Sequence, residues 1–140
     1  MRQQAWNECK TVLRDYPKTD YYLNRIRTEK LFPYTATDDN RGVAKSGYNA
    51  DGIVNKVISI HDDVLYRRLI FQRDVVENEL NNSPAWLADM IRLMYFNREP
   101  LALKPASELV GKNWRTAKQH HERFMVRLAN NLGIITFEEE

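Results

Sequence analysis

The chain has 140 residues, which suits one compact domain or two small lobes around a shared core. A composition of 43% hydrophobic and 29% charged residues, with only five glycines and five prolines, excludes a disordered chain and favours helices over a sandwich or barrel. One cysteine excludes a disulfide framework and a cysteine-rich zinc site within one chain, and a net charge of +2 excludes general basicity as a clue to function.

The N-terminal third predicts two short helices. Apolar residues at helical spacing indicate a first helix over about 3–16. Pro17 interrupts it and suits the start of a second helix over about 18–31. Residues 32–49 show no periodic pattern, so they are predicted to form a loop that is mobile or clamps a ligand.

The longest periodic segment predicts a central helix over about 51–81. Some thirty helical residues would span about 45 Å, more than the short neighbouring helices could cover. Two interpretations stay open: an intermolecular, coiled-coil-like contact that makes a homo-oligomer, and the spine of the monomer's own core, which is slightly favoured. Residues 1–82 are therefore predicted to be an N-terminal helical region for interaction or oligomerisation.

Residues 83–140 are predicted to form a separate C-terminal domain. Ser83 is a preferred N-cap and Pro84 a favoured first helical residue, and the apolar stripe that follows ends near residue 97. A short helix is predicted over 105–110, with Gly111 in the left-handed conformation after it. A longer helix is predicted to begin after the cap residue Asn113 and to end near residue 132, before Gly133.

The order of short helix, glycine turn and capped longer helix is that of a helix-turn-helix, whose second helix enters the DNA major groove. At about 100° per residue, the last helix gathers one apolar face and one polar face. The apolar face consists of Ala117, His121, Phe124, Met125, Leu128 and Leu132, and the polar face of Arg115, Thr116, Gln119, Arg123 and Val126.

The polar face has chemistry that suits DNA. Arg115 can bind guanine bidentately, Gln119 can pair with adenine, and Thr116 can contact a base or a phosphate. Lys112, Lys118 and Arg127 are better suited to phosphates, which position the protein without specifying sequence. The stretch 112–127 has five Lys or Arg against one acid, although an ordinary solvated basic face stays open as an interpretation.

These residues also resemble a known family. The stretch "MYFNREPLALKPASELVGKNWRTAKQHHERFMVRLANNLG" is similar to the C-terminal part of the RinA/ArpU-type late transcriptional regulators of phages that infect Gram-positive bacteria. The similarity lies in "YFN" at 95–97, "RTA" at 115–117 and "RLANNLG" at 127–133, and the same unit resembles region 4 of bacterial sigma factors. A weaker resemblance extends over the whole chain, through "DYP" at 15–17 and "YRRLI" at 66–70.

The resemblance implies an all-α protein whose C-terminal sigma-region-4-like helix-turn-helix activates phage or prophage late genes, which encode packaging, structural or lysis proteins. It implies double-stranded promoter DNA as partner, contact with host RNA polymerase, and a place in the cytoplasm of a bacterial host. The family's recognition-helix positions fall on Asn113, Arg115, Thr116, Lys118, Gln119 and Arg123. Trp114 is expected to pack against the preceding helix, and His120 and His121 to lie at the seam and surface without binding a metal.

Three other classes of function are alternatives to a DNA-binding regulator. His61, Asp62 and Asp63 could suggest an acid–base or metal site, but no catalytic motif accompanies them, so no catalytic residue, metal or cofactor is expected. The stronger alternative is a phage small terminase subunit, which recognises DNA for packaging, although its DNA-binding module is more often N-terminal. A protein-interaction helix that holds RNA polymerase without recognising DNA is the third. The start of the chain has no apolar signal region and no segment approaches about 20 apolar residues, so neither secretion nor a membrane is expected.

Overall fold

The computed structural model describes residues 1–32, 52, 60 and 63–138. These residues contain helices and no β-strand, which confirms the predicted all-α class. The helices are α1 (Gln3–Asp15), α2 (Thr19–Leu31), α3 (Val64–Asn81), α4 (Ala85–Ile91), α5 (Leu103–Leu109) and α6 (Trp114–Leu132), with a 3-10 turn at Tyr16–Lys18 and a π-helical turn at Arg92–Phe96. None of the described helices is long and apolar enough to cross a membrane.

The chain forms two compact units. One consists of Met1–Pro17 and Phe71–Glu140, and the other of Lys18–Ile70. These units do not follow the predicted boundary between residues 82 and 83, because α1 and the second half of α3 belong to the same unit as the C-terminal helices. The physical reason is the apolar face of α1, whose Cys9 and Leu13 are fully buried in the core that α6 completes.

The larger unit is built around α6. Helices α1, α4 and α5 all contact it, and α5 also contacts α4. Its buried core contains Cys9, Val12, Leu13, Val76, Leu80, Leu87, Ala88, Met90, Ile91, Tyr95, Ala106, Ala117, Phe124, Met125, Leu128 and Ala129. Burial of apolar surface stabilises a fold by about 25 cal/mol per Å², so the packing of α6 into this shared core is the main contribution that fixes the orientation of the helix.

The smaller unit has its own cluster. Its buried side chains are Leu23 on α2, Tyr66 on α3, and Ile60, which precedes α3. The Nε of Arg27 donates to the hydroxyl oxygen of Tyr66 at 2.9 Å, which satisfies the one polar atom of that buried ring. The predicted loop over 32–49 falls almost entirely outside the described residues.

The predicted continuous helix over 51–81 is wrong at Asp63, which is not helical. Its carboxylate oxygen accepts the backbone N–H of Tyr66 at 3.0 Å, so Asp63 acts as the cap that starts α3 at Val64. Gly52 and Ile60 are helical, and most of their neighbours lie outside the described residues. With 18 residues, α3 is about 27 Å long. The described part of this segment therefore does not show the single helix of some thirty residues on which the intermolecular coiled-coil hypothesis depended.

Two further boundaries differ from the sequence predictions. The Oγ of Ser83 donates to the carbonyl oxygen of Glu79 at 2.7 Å, so Ser83 closes α3 and Pro84 is the N-cap of α4. Helix α5 begins two residues before the predicted start, at Leu103, which places Pro105 within its first turn. Proline is tolerated there because the first-turn N–H groups have no acceptor within the helix.

Candidate functional site

The segment from α5 to α6 forms a tight, well-satisfied turn. Gly111 has a φ of 74°, in the left-handed region that favours glycine, as the sequence predicts. Its N–H donates to the carbonyl of Glu108 at 3.0 Å, and the N–H of Lys112 donates to the carbonyl of Ser107 at 2.9 Å. This pair of bonds is a Schellman motif, which ends α5 and redirects the chain into α6.

Both ends of α6 are as predicted. The side chain of Asn113 accepts the backbone N–H of Arg115 at 2.9 Å, so it is the N-cap. At the other end Gly133 has a φ of 76°, and the N–H of Ile134 donates to the carbonyl of Ala129 at 2.9 Å in a second Schellman motif. Because the oxygen of Asn113 already accepts one hydrogen bond as the cap, its amide nitrogen is the side-chain group best placed to donate to a ligand.

One face of α6 is anchored in the core. Ala117, Phe124, Met125 and Leu128 have no exposed surface, and Leu132 is half-buried against the same core. These are the positions that the helical wheel predicts for the apolar face. The helix is therefore held by side chains along most of its length, which fixes the direction of its opposite face.

The opposite face is exposed and carries the predicted site. Lys112, Asn113, Arg115, Thr116, Lys118, Gln119, Arg123 and Arg127 are all exposed. On the wheel, the five from Arg115 to Arg123 lie within an arc of about 160°. Among the described residues, no ion pair to a carboxylate is found for Lys112, Arg115, Lys118 or Arg123. Their charges are therefore available to an anionic partner.

Arg127 differs from the other predicted cations. Its Nε lies 3.3 Å from Oε2 of Glu79 on α3, a carboxylate whose side chain is only 7% exposed. The amide of Asn131 donates to the other oxygen of the same carboxylate. Arg127 thus links α6 to α3, a contact that sequence spacing cannot show because 48 residues separate the partners.

Two tryptophans lie beside cations near the start of α6. The Lys112 Nζ lies 5.1 Å from the ring centroid of Trp86, and the Lys104 Nζ lies 5.4 Å from that of Trp114. The guanidinium carbon of Arg115 lies 5.6 Å from the Trp114 ring. Sequence patterns give Lys104 no role and place Trp86 only in the apolar stripe after Pro84. Both residues reach this surface from other helices, α5 and α4, and no spacing rule relates them to α6.

A buried polar pair supports α6 from behind. Nε2 of His121 and the hydroxyl of Tyr95 are 2.8 Å apart, and the ring of Trp6 meets His121 edge-on at 5.4 Å. Burial lowers the pKa of His121 to about 4, with a smaller contribution from Lys10, and burial raises the pKa of Tyr95 to about 12. Both groups are therefore neutral at neutral pH. His121 lies at the helix seam, as predicted, and His120 packs half-buried against Trp86.

The other candidate chemistry lies elsewhere. His61 and Asp62 fall outside the described residues, and Asp63 caps α3. Within the described part of the chain, no group of three or more histidine, cysteine or acidic side chains is arranged to hold a metal ion. The buried Cys9 donates to the carbonyl of Met125 at 3.8 Å, and burial raises its pKa to about 11.

Comparisons of the chain with family models, with curated proteins and with solved structures found no match. The turn between α5 and α6 and the chemistry of the exposed face are therefore the basis of the functional argument.

Proposed function

We propose that the protein binds double-stranded DNA in a sequence-specific manner, with α5 and α6 as the two helices of a helix-turn-helix. One observation carries the proposal: the anchored helix α6 presents Arg115, Lys118 and Arg123 together with Thr116 and Gln119 on a single exposed arc, and these three cations have no carboxylate partner among the described residues. A protein of net charge +2 that concentrates unpaired positive charge in this way is suited to a polyanion.

The first turns of α6 have the chemistry needed to distinguish base pairs. Arg115 can donate two hydrogen bonds to guanine and Gln119 can pair with adenine, and both lie on the exposed arc. Thr116 is also exposed there and can contact a thymine methyl or a phosphate. At about 28 Å, α6 is longer than the groove is wide, so we expect its N-terminal half to enter the groove.

Phosphate contacts come from cations at the edges of this face. Lys112, in the turn, and Lys118, at one side of the arc, suit this role, and Arg123 extends the basic surface by two turns beyond Arg115. Arg127 contributes less to DNA binding in this proposal, since Glu79 already holds it.

The biological role that we propose is non-enzymatic activation of phage or prophage late transcription in a bacterial host cell. Its support is the resemblance of "YFN", "RTA" and "RLANNLG" to RinA/ArpU-type regulators and to sigma factor region 4. Contact with host RNA polymerase and assembly into a homo-oligomer belong to the same proposal.

The test is selection of bound fragments from mixed genomic and phage DNA, followed by affinity measurements on the selected site and on random DNA. Arg115→Ala should lower discrimination at one base pair by about 1–3 kcal/mol. Lys112→Ala should weaken all sequences alike and reduce the slope of log K against log salt by about 0.9. Arg92→Ala is the matched control, because Arg92 is exposed and paired with Asp89 at 3.1 Å.

The outcomes separate the candidate functions. A selected site upstream of late genes supports a promoter-binding regulator. Sites at a packaging start, together with a closed ring of eight or more chains, roughly, in native mass measurements, would identify a small terminase subunit instead. A folded protein that enriches no site would leave α6 as a protein-binding helix and overturn the proposal.

A further inference from the structure

Trp114 brings together cations from two helices at the start of α6. Its ring centroid is 5.4 Å from the Nζ of Lys104 on α5 and 5.6 Å from the guanidinium carbon of Arg115. Both separations are within the range of cation–π attraction, which is about 6 Å. One indole therefore holds a lysine and the arginine assigned above to base recognition.

The hydrophobic core does not explain this tryptophan. Trp6 and Trp86 pack against the buried core of the larger unit, whereas Trp114 is neither in that core nor among the side chains packed against it. Trp114 is 38% exposed. The sequence predicts packing of Trp114 on the preceding helix, and what α5 provides in the structure is the ammonium group of Lys104.

We propose that Trp114 is a positioning residue of the DNA interface, and that Lys104 is a further phosphate-contacting residue held at the same indole ring as Arg115. The inference rests on the proposed function and adds α5 to the site. Lysine and arginine side chains lose rotamer freedom when they bind. An indole that already restricts both cations reduces this loss when they bind a phosphate and a base.

The role of Lys104 is tested by Lys104→Ala, with Lys10→Ala as the matched control. Lys10 also lies over a tryptophan, 5.8 Å from the ring of Trp6, but it is on α1 and outside the proposed interface. Lys104→Ala should reduce the slope of log K against log salt by about 0.9, as expected for one lost phosphate contact. Lys10→Ala should leave the slope unchanged.

The role of Trp114 is tested by comparing Trp114→Leu with Trp114→Phe on the selected site and on random DNA. Trp114→Leu should weaken specific binding by about 2- to 5-fold, because Lys104 and Arg115 then lose on binding the rotamer freedom that the indole restricts in the free protein, and Trp114→Phe should restore most of the affinity. Because the two cation–π contacts are exposed, their loss should lower the urea midpoint only slightly. A purely structural role would instead lower that midpoint strongly and would not distinguish phenylalanine from leucine by binding.

Failure of the inference is distinguishable from failure of the proposed function. Specific binding that depends on Arg115 but is unaffected by Trp114→Leu and Lys104→Ala would overturn the inference and leave the function standing. If the wild-type protein selects no DNA site, both are overturned.

Discussion

Replacement of Arg127 by alanine removes the cationic partner of a carboxylate that is almost fully enclosed. The side chain of Glu79 is 7% exposed, whereas that of Arg127 is 49% exposed. In Arg127→Ala, Asn131 is the one side-chain partner that the described residues leave to the buried carboxylate. Loss of a hydrogen bond to a buried charged group costs about 2–3 kcal/mol, and we expect this decrease in the free energy of unfolding.

Replacement of the other partner, Glu79, should decrease the free energy of unfolding less. In Glu79→Gln no buried charge remains, and Arg127 and Asn131 are both exposed, so water can solvate them. We expect a decrease of about 1 kcal/mol or less. Once residue 79 is uncharged, Arg127→Ala should add little, which gives a coupling energy of about 2–3 kcal/mol in a double-mutant cycle.

The assay is urea unfolding followed by tryptophan fluorescence, with linear extrapolation to water. All three tryptophans belong to the larger unit, so the signal reports the part of the molecule that contains the pair. Arg92→Ala, which breaks an exposed pair with Asp89, is the control and should cost less than about 0.5 kcal/mol. Equal stability of Arg127→Ala and wild type, with no coupling to Glu79, would refute the reasoning and return Arg127 to the phosphate-contacting residues.

Three further predictions test the core behind the proposed interface. Phe124→Ala should decrease the free energy of unfolding by about 3–5 kcal/mol, because Phe124 has no exposed surface, and Val126→Ala on the exposed face should cost less than about 1 kcal/mol in the same urea assay. The pKa of His121 is about 4 in the folded chain and near the ordinary 6.5 in the unfolded chain, so between these values only the unfolded chain is protonated. The free energy of unfolding should therefore decrease by up to about 3 kcal/mol as pH falls from 7 to 4. This part of the decrease should be absent in His121→Gln and present in His120→Gln; urea titrations that show the same decrease in all three proteins would contradict it. In the folded protein at pH 8, Cys9 should resist a thiol reagent, because it is buried and burial raises its pKa to about 11; in urea it should react at once. Fast labelling of the folded protein would contradict this and show that α1 opens locally.

Much of the fold could be predicted from sequence because its signals are local. Asn113, Gly111 and Gly133 are where cap chemistry and positive φ predict them, since these preferences depend on a few neighbouring backbone groups. Helical periodicity likewise placed Ala117, Phe124 and Leu128 on the buried face of α6.

Predictions of helix boundaries were wrong where two local sequence signals compete. Asp63 and its neighbours fit a helical period, yet Asp63 itself is not helical and its carboxylate caps α3. Ser83 is a good N-cap by composition, but its hydroxyl donates to Glu79 and closes the preceding helix instead. A residue such as Ser83 can form its hydrogen bond at the end of one helix or at the start of the next, and the fold of the surrounding chain determines which of the two bonds forms.

Most helices of this protein and the polar face of α6 can be predicted from its sequence, because both follow from residue type and a fixed angular step along the chain. Which cations of that face are paired and which are available depends on contacts between helices, and these are visible only in the folded chain. The tertiary structure pairs Arg127 with the buried Glu79, brings Lys104 to Trp114, and joins α1 to the C-terminal helices through Cys9 and Leu13. These contacts join residues from different helices, and their partners are selected by packing of the whole core, which no local spacing encodes.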